Sequence, residues 1–458
     1  MTININKDII RKYDVSGPRY TSYPTAPQWK EQKNSKEYEV ALSAFGRSNK
    51  TLSVYVHIPF CQSLCSYCGC NVVIRKQEQR FGNEYIDYLE KEIDLAVKSI
   101  GEKSLVKQFH WGGGTPTFLD NDQIRRLYGK LNNVFDIDPN GEIAIEIDPR
   151  TIDFEKLKVL REVGFNRISL GVQDFNEQVQ KAVNRIQPFE LVEQTVTWCR
   201  DLGFSSINFD LIYGLPYQTI DSFYQTIDKV NQLRPERIAL YSFAYVPWLK
   251  KHQKKMDEGS FPDSDIKLDI FLNSREKLLD FGYEAIAMDH FALKEDELAK
   301  AYASGVLYRN FMGYTVKPAD EYIGFGVSSI GFIENSFFQN AKTLPQYYSI
   351  LRMGHLPIER GMLLSDDDLK RRWTINSLMC RFKIDLREFK SIFNERFCQY
   401  FQPEKDHIFK CVIDELLEPH EWGYQVSDLG KLFIRNICMG FDIYLKNAQG
   451  EGKYSKTI

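Results

Sequence analysis

The sequence predicts an α/β fold: a parallel sheet of six strand-helix units, preceded by an extended arm and followed by a small, mainly helical domain. Three observations carry this. Short runs rich in β-branched and aromatic residues alternate with helix-period segments six times from residue 51 onward. Residues 1–50 show no such rhythm, and it fades again after about residue 340. The expected division is therefore an arm (1–50), a barrel-forming unit (51–340) and a C-terminal helical domain (341–458).

In the arm, SGPRYTSYPT places two prolines and two tyrosines in ten positions, a pattern that resists both helix and central strand. LSVYVHI (52–58) is the first strand. The helix after it has apolar positions at Tyr85, Ile86, Leu89, Ile93, Ala96, Val97 and Ile100. The units then repeat: VKQFHW (106–111) before a helix near 121–135, IAIEI (143–147) before 153–163, and RISLGVQ (167–173) before 187–202. Two more follow, with strands at 206–214 and 237–246 and helices at 219–233 and 264–281. Such alternation gives parallel strands joined by right-handed crossovers. After residue 340, helices near 364–380, 384–398 and 407–419 lead into YQVSDLGKLFIRNICMGF, a short strand and a helix that together resemble a winged helix.

Composition narrows the function. Lys plus Arg (59) nearly balance Asp plus Glu (62), so the chain lacks the positive field that nucleic-acid binding needs. A hydrophobic fraction of 43% supports a packed globular core. No apolar run reaches the length of a membrane span, and the first residues lack the apolar core of a signal peptide. A cytoplasmic monomer, without membrane or nucleic-acid partners, is expected. Inside the apolar strands, Glu146 and Asp210 stand out, because burying a carboxylate without partners costs several kcal/mol. Each should face donors or a ligand, and each lies near the C-terminal end of its strand, where barrel-like folds keep their sites.

Four of the nine cysteines, Cys61, Cys65, Cys68 and Cys70, fall in HIPFCQSLCSYCGCN directly after the first strand. Four thiols can bind structural zinc, but zinc sites usually pair two knuckles across a longer spacer, and there is no second knuckle here. A loop with gaps of three and two residues can instead wrap a cuboidal cluster. If only the first three cysteines bind, a 4Fe-4S cluster keeps one iron without a protein ligand.

The spacing Cys-x3-Cys-x2-Cys, with Tyr67 before the third cysteine, resembles the signature of the radical S-adenosylmethionine enzymes, whose partial (β/α)6 TIM-like barrel carries it after the first strand. The likeness extends along the chain through GPRYTSYPT, LSVYVHIPFC, CGCN, HWGGGTPT, EIDPR, GFNRISLGVQDFN, INFDLIYGLP, MDHFA, RNFMGYT and RNICMGFD. Together these resemble the oxygen-independent coproporphyrinogen III oxidases of haem biosynthesis. The N-terminal GPRYTSYP, the fourth cysteine and RNICMGFD favour that family over its haem-chaperone relatives.

The resemblance implies an enzyme that converts two propionates of coproporphyrinogen III to vinyl groups, giving protoporphyrinogen IX. It would use a 4Fe-4S cluster on Cys61, Cys65 and Cys68, two S-adenosylmethionine positions, and an electron donor such as a flavodoxin or ferredoxin. Tyr55, Gly113, Glu146 and Ile330 match the cluster-bound molecule. Tyr67, Gly114, Thr115, Gln173, Arg185, Asp210 and Ala244 match the second. Glycines let the backbone approach a ligand closely, and Arg185 can pair with a carboxylate. Cys70 lies outside the implied ligand set, either as an inert thiol or near the substrate. Arg19, Tyr20, Arg309 and Phe311 are the candidates for the substrate's propionates and pyrrole faces. The chain departs from the family at Met312, where Gln is common, and at Gly440, where Cys can occur. Two other readings share the cysteine motif: a radical enzyme that opens the haem ring with methyl transfer, and a non-enzymatic haem or iron-sulfur carrier.

Overall fold

The computed structural model describes residues 7–31, 35–446 and 454–456. The six expected strands all form and pair in parallel, in chain order: β1 (Leu52–Ile58), β2 (Leu105–Gly113), β3 (Asp136–Ile147), β4 (Arg167–Gln173), β5 (Ser206–Tyr213) and β6 (Arg237–Ser242). Between and after them run α1 (Gln79–Ile100), α2 (Asn121–Val134), α3 (Phe154–Val163), α4 (Phe189–Asp201), α5 (Ile220–Leu233) and α6 (Ser264–Asp280). In α1 the buried residues Tyr85, Ile86, Leu89, Ile93, Ala96 and Ile100 recur at three- and four-residue steps, so one face seals the sheet. Gly101, at φ +90, ends the helix where a side chain would be strained. Capping boxes at Asp120 with Gln123 and at Thr219 with Ser222 start α2 and α5; each such cap contributes about 1 kcal/mol.

A seventh parallel strand, β7 (Glu321–Phe325), pairs on the other side of β1. All five of its residues are buried, so EYIGF shows no alternation by which the sequence could announce it. Antiparallel strands β8 (Ile330–Ile333), β9 (Ser336–Asn340) and β10 (Ile358–Leu363) extend that edge, and the pair Lys30–Glu31 caps it. His290–Leu293 and Tyr283–Ala285 extend the opposite edge beside β6. The two edges do not pair with each other, which makes the sheet an open, partial barrel.

Since β10 pairs with β9, the sheet runs through the boundary expected at residue 340. Residues before 50 are also less separate than an arm implies. Lys30–Glu31 joins the sheet, and helix Lys36–Gly46 buries Tyr38, Leu42 and Phe45 in the barrel's main core.

A second hydrophobic core gathers helices Asp366–Arg381, Leu386–Phe393 and Lys405–Ile413. Beside them lies a three-stranded sheet of Lys383–Asp385, Gly423–Val426 and Leu417–His420, the winged-helix-like arrangement expected. Tyr13, Tyr20 and Tyr23 of the arm are buried in this core. RNICMGFD supplies the fastening: Arg435 donates to the carbonyls of Gly17 and Pro18, and Asn436 Nδ2 donates to that of Tyr13 at 2.7 Å. From the barrel side, Arg309 Nη1 donates to the carbonyls of Arg19 and Tyr20, both at 2.8 Å. Among the described residues no helix is long and apolar enough to cross a membrane.

Candidate active site

A cavity of about 430 Å³ opens at the C-terminal ends of the parallel strands. Cys61, Cys65, Cys68 and Cys70 face it from the loop after β1, joined by Tyr67. Gly113, Gly114 and Thr115 enter from the end of β2, and Glu146 from β3. Gln173, Arg185 and Asp210 complete the far wall. Most of the residues expected from motifs scattered over 150 positions therefore share one space.

Glu146 is held from two sides. His110 Nε2 lies 3.2 Å from its Oε1, and the Gly113 N–H donates to Oε2 at 3.1 Å. Desolvation pushes this carboxyl up, but the bonds and charge from His110 and the Gly113 N–H outweigh it and keep Glu146 below the usual carboxylate range. Asp210 accepts from Asn208 Nδ2 at 2.9 Å and from Ser169 Oγ at 3.1 Å. Burial and the nearby charge of Glu146 still raise it to about 6. The two carboxylates of one cavity are thus driven apart by their surroundings.

Asp148 and Arg150 also line the cavity, although neither was singled out from the sequence. Asp148 Oδ2 accepts from Arg150 Nη2 at 2.7 Å and from Arg185 Nη1 at 3.0 Å. Burial would raise Asp148, and the two guanidinium groups bring it below its ordinary value. Those guanidinium groups end 3.9 Å (Arg150) and 3.8 Å (Arg185) from Cys65 Sγ, so the loop meets two cations. Glu146 and Asp148 are two residues apart in EIDPR, and that spacing is the signal that could have pointed to Asp148.

The donor set fits an iron-sulfur cluster. Four thiols of one loop face the cavity, three of them at the Cys-x3-Cys-x2-Cys spacing, and two arginines offset the charge that thiolates would bring. Burial raises the Cys61 thiol to about 11, beside Thr115 Oγ1 at 3.4 Å. Gln173 adopts φ +67, and its Oε1 is buried without a partner. Such a backbone and an unpaired acceptor together stand in the wall of the cavity.

Other expected residues lie elsewhere. Tyr55 stands behind Glu146: its ring stacks on His110 at 5.9 Å, and its hydroxyl lies 3.0 Å from His57 Nδ1. The Ala244 and Tyr67 carbonyls both accept from Gln253 Nε2, at 3.2 and 3.3 Å. Ile330 packs against a small aromatic cluster that includes Trp29 and Phe337. Phe311 joins that cluster, 5.8 Å from Trp29, instead of facing the cysteine cavity, because the aromatic wall buries it better than an open mouth would. Tyr20 is likewise turned away, with its hydroxyl donating to Asp442 Oδ2 at 3.0 Å inside the second core.

Arg19 does lie at the barrel mouth. It donates to the Ser242 carbonyl at 2.9 Å, and its guanidinium sits 5.6 Å from the centre of the Tyr241 ring. Met312 lines a smaller inner cavity of about 120 Å³ together with His110, Glu146, Asp210 and His290, so this departure from the family pattern sits in the barrel lumen. Gly440 is remote from it, in the C-terminal domain. A Cβ there would fall 1.9 Å from the His407 ring, so a cysteine would require that ring to move.

Comparison with known proteins agrees with this geometry. Residues 55–230 match the Radical SAM superfamily. The chain is 41% identical to the oxygen-independent coproporphyrinogen III oxidase of Synechocystis sp., over 100% of this chain and 99% of that one. It is also 41% identical to its counterpart in Escherichia coli, with 98% of each covered. The chain belongs to the oxygen-independent coproporphyrinogen III oxidase family. Coproporphyrinogen III oxidase (HemN) from Escherichia coli, a radical SAM enzyme, shares the fold with a TM-score of 0.91 at 40% identity, over 97% of this chain and 100% of that chain. Membership makes the protein a radical SAM oxidoreductase of haem biosynthesis, and the family implies a 4Fe-4S cluster and S-adenosylmethionine. The match runs the whole length of the oxidases, which leaves the ring-opening and carrier readings without support.

Proposed function

We propose that this chain decarboxylates two propionates of coproporphyrinogen III oxidatively, leaving vinyl groups and giving protoporphyrinogen IX without oxygen. The observation that carries this reading is the single cavity joining the three-cysteine loop to Glu146, Arg185 and Asp210 at the strand ends. The chemistry that the cluster and S-adenosylmethionine supply when bound is a one-electron cleavage that removes hydrogen from an unactivated propionate carbon, beyond the reach of any side-chain acid or base.

The chain's own residues bind, orient and shield. Cys61, Cys65 and Cys68 hold the cluster, and Cys70 stays outside it. Glu146, kept anionic by His110 and the Gly113 N–H, presents its carboxylate to the ammonium or ribose of the first S-adenosylmethionine, while Tyr55 supports His110 from behind. The reading of two S-adenosylmethionine positions rests on the second carboxylate, Asp210, and on Gln173 and Arg185 opposite it. Arg185 is fixed by Asp148 and by the Gly171 carbonyl at 2.7 Å, ready to meet a carboxylate. Arg19 offers a cation to the propionates, and Arg309 holds the backbone of Arg19 and Tyr20 in place. The arm closes the mouth, the barrel carries the chemistry, and the C-terminal domain holds the arm. In this reading the protein works as a cytoplasmic monomer.

Anaerobic reconstitution followed by mass analysis of coproporphyrinogen III incubated with S-adenosylmethionine tests the proposal. Loss of two carbon dioxide equivalents supports it, and an unchanged porphyrinogen or a linear tetrapyrrole would overturn it. Full iron content after Cys65→Ser, or loss of the cluster after Cys70→Ser, would overturn the ligand assignment.

A further inference from the structure

The cysteine loop is braced from outside by the segment that follows β6. Lys250 Nζ donates to the Cys70 carbonyl at 2.9 Å, His252 Nε2 to that of Cys68 at 2.9 Å, and Gln253 Nε2 to that of Tyr67 at 3.3 Å. Lys251–Lys255 is a 3-10 turn. With three residues per turn, 250 and 253 share one side while 251 and 254 share another. Lys250, His252 and Gln253 grip the loop, and the exposed Lys251, Lys254 and Lys255 face outward.

That outward side has a distinct chemistry. Lys251, Lys254 and Lys255 are exposed, and just before them Trp248 is 53% and Leu249 65% exposed. The sequence has no Asp or Glu between Glu236 and Asp257, although the chain as a whole carries a net charge of -3. The first acids beyond the turn are engaged locally: Asp257 accepts from the Gly259 N–H at 3.1 Å, and Glu258 from the Tyr245 hydroxyl at 2.6 Å. Neighbouring large apolar side chains left in water beside a cationic patch have the composition of a docking surface.

We propose that this turn docks a small acidic flavin-carrying electron-transfer protein. The inference rests on the radical reading above, which requires one electron for each cleavage of S-adenosylmethionine. The donor is oxidised by one electron and the cluster reduced by one, and no covalent bond in either protein forms or breaks in that transfer. Position carries the argument, since the turn touches the backbone of Cys68 and Cys70, and a partner seated on it stands one thin layer of chain from the cluster. Charge adds direction, because three lysines steer an acidic partner and lose that effect as salt screens them. The flat indole of Trp248 suits the aromatic edge of a flavin.

The test uses the reconstituted holoenzyme and a purified acidic flavodoxin. Affinity is titrated at several salt concentrations for the wild type, for the triple variant Lys251→Glu, Lys254→Glu, Lys255→Glu, and for Trp248→Ala. S-adenosylmethionine cleavage is then driven either by reduced flavodoxin or by dithionite. The wild type should bind more weakly as salt rises, and the triple variant should bind about tenfold more weakly or worse. Trp248→Ala should weaken binding while keeping the salt dependence. Flavodoxin-driven cleavage should fall with affinity, with iron content and the dithionite-driven rate unchanged. Equal affinity in wild type and triple variant overturns the proposal. An equal loss of both driven rates also overturns it, because the turn would then only support the cysteine loop. If even the wild type cleaves nothing with dithionite, the radical reading fails, and the binding titration still decides the docking surface.

Discussion

Replacing Gly112 by alanine tests whether the placement of the Glu146 carboxylate lets the cavity hold S-adenosylmethionine. Gly112 precedes Gly113, whose φ of +117 suits glycine alone, and a Cβ built on Gly112 would lie 2.8 Å from Cδ, Oε1 and Oε2 of Glu146 together. All three atoms must retreat for that contact to open toward 3.4 Å. The bonds from His110 and the Gly113 N–H are already 3.2 and 3.1 Å long, so such a retreat breaks or badly weakens both. Hydrogen bonds to a charged group contribute about 1.5–3 kcal/mol each. This carboxylate faces an open cavity, so about 1.5–3 kcal/mol for the pair is the fairer figure after screening. That corresponds to a loss of roughly 10- to 150-fold in affinity. Equilibrium binding of S-adenosylmethionine to the anaerobically reconstituted protein measures it, with iron content and melting temperature as controls. Wild-type affinity in a folded, iron-replete Gly112→Ala protein would refute the reasoning, since Glu146 would then be displaced without consequence.

Other consequences are as direct. Arg150→Met removes one of the two guanidinium groups beside Cys65 Sγ, and its loss should make the cluster harder to reduce. A tenfold effect on reduction corresponds to about 59 mV, read by a redox titration followed by electron paramagnetic resonance, and an unchanged potential would count against a tuning role. Because burial and Glu146 hold Asp210 at about 6, S-adenosylmethionine binding should weaken as pH falls through that value, and Asp210→Asn should flatten the profile. The sign separates binding from unfolding: a carboxyl raised in the folded state favours the fold as it takes up its proton, so this group's contribution to stability rises while affinity drops. A binding profile that ignores pH in the wild type would remove Asp210 from the site. Deleting residues 1–30 takes Tyr13, Tyr20 and Tyr23 out of the second core and should destabilise the C-terminal domain by about 3 kcal/mol or more, with the cluster retained. Thermal melts and limited proteolysis should then show an earlier transition in that domain, and an unchanged melt would mean that the arm packs without contributing.

The barrel could be read from the sequence because each of its first six strands is an apolar run followed by an amphipathic helix, a local pattern. β7 and the antiparallel edge could not, because EYIGF and its neighbours are short and held by pairings with residues far away in the chain. Helix Lys36–Gly46 lay hidden in a polar stretch, since only Tyr38, Ala41, Leu42 and Phe45 turn inward. In the site, Glu146 and Asp210 stood out because a carboxylate in an apolar strand demands an explanation. Asp148 and Arg150 sit in a loop, where charge is ordinary, and only the approach of Arg185 from beyond β4 gives them a shared task. Tyr20 shows the converse. A tyrosine in a proline-broken arm reads the same whether it meets a ligand or a neighbouring domain, and the partner, Asp442, is more than 400 residues away.

The fastening of the arm also sets an order of assembly. Most of its holds, Arg435, Asn436 and Asp442, lie close to the end of the sequence, and Arg309 adds one from the barrel side, whereas the cysteine loop and strands β1 to β5 are complete in the first half of the chain. Contacts of such long sequence separation form late, and units made early in synthesis fold first. The arm, made first, is therefore fastened last, once the final helices have packed.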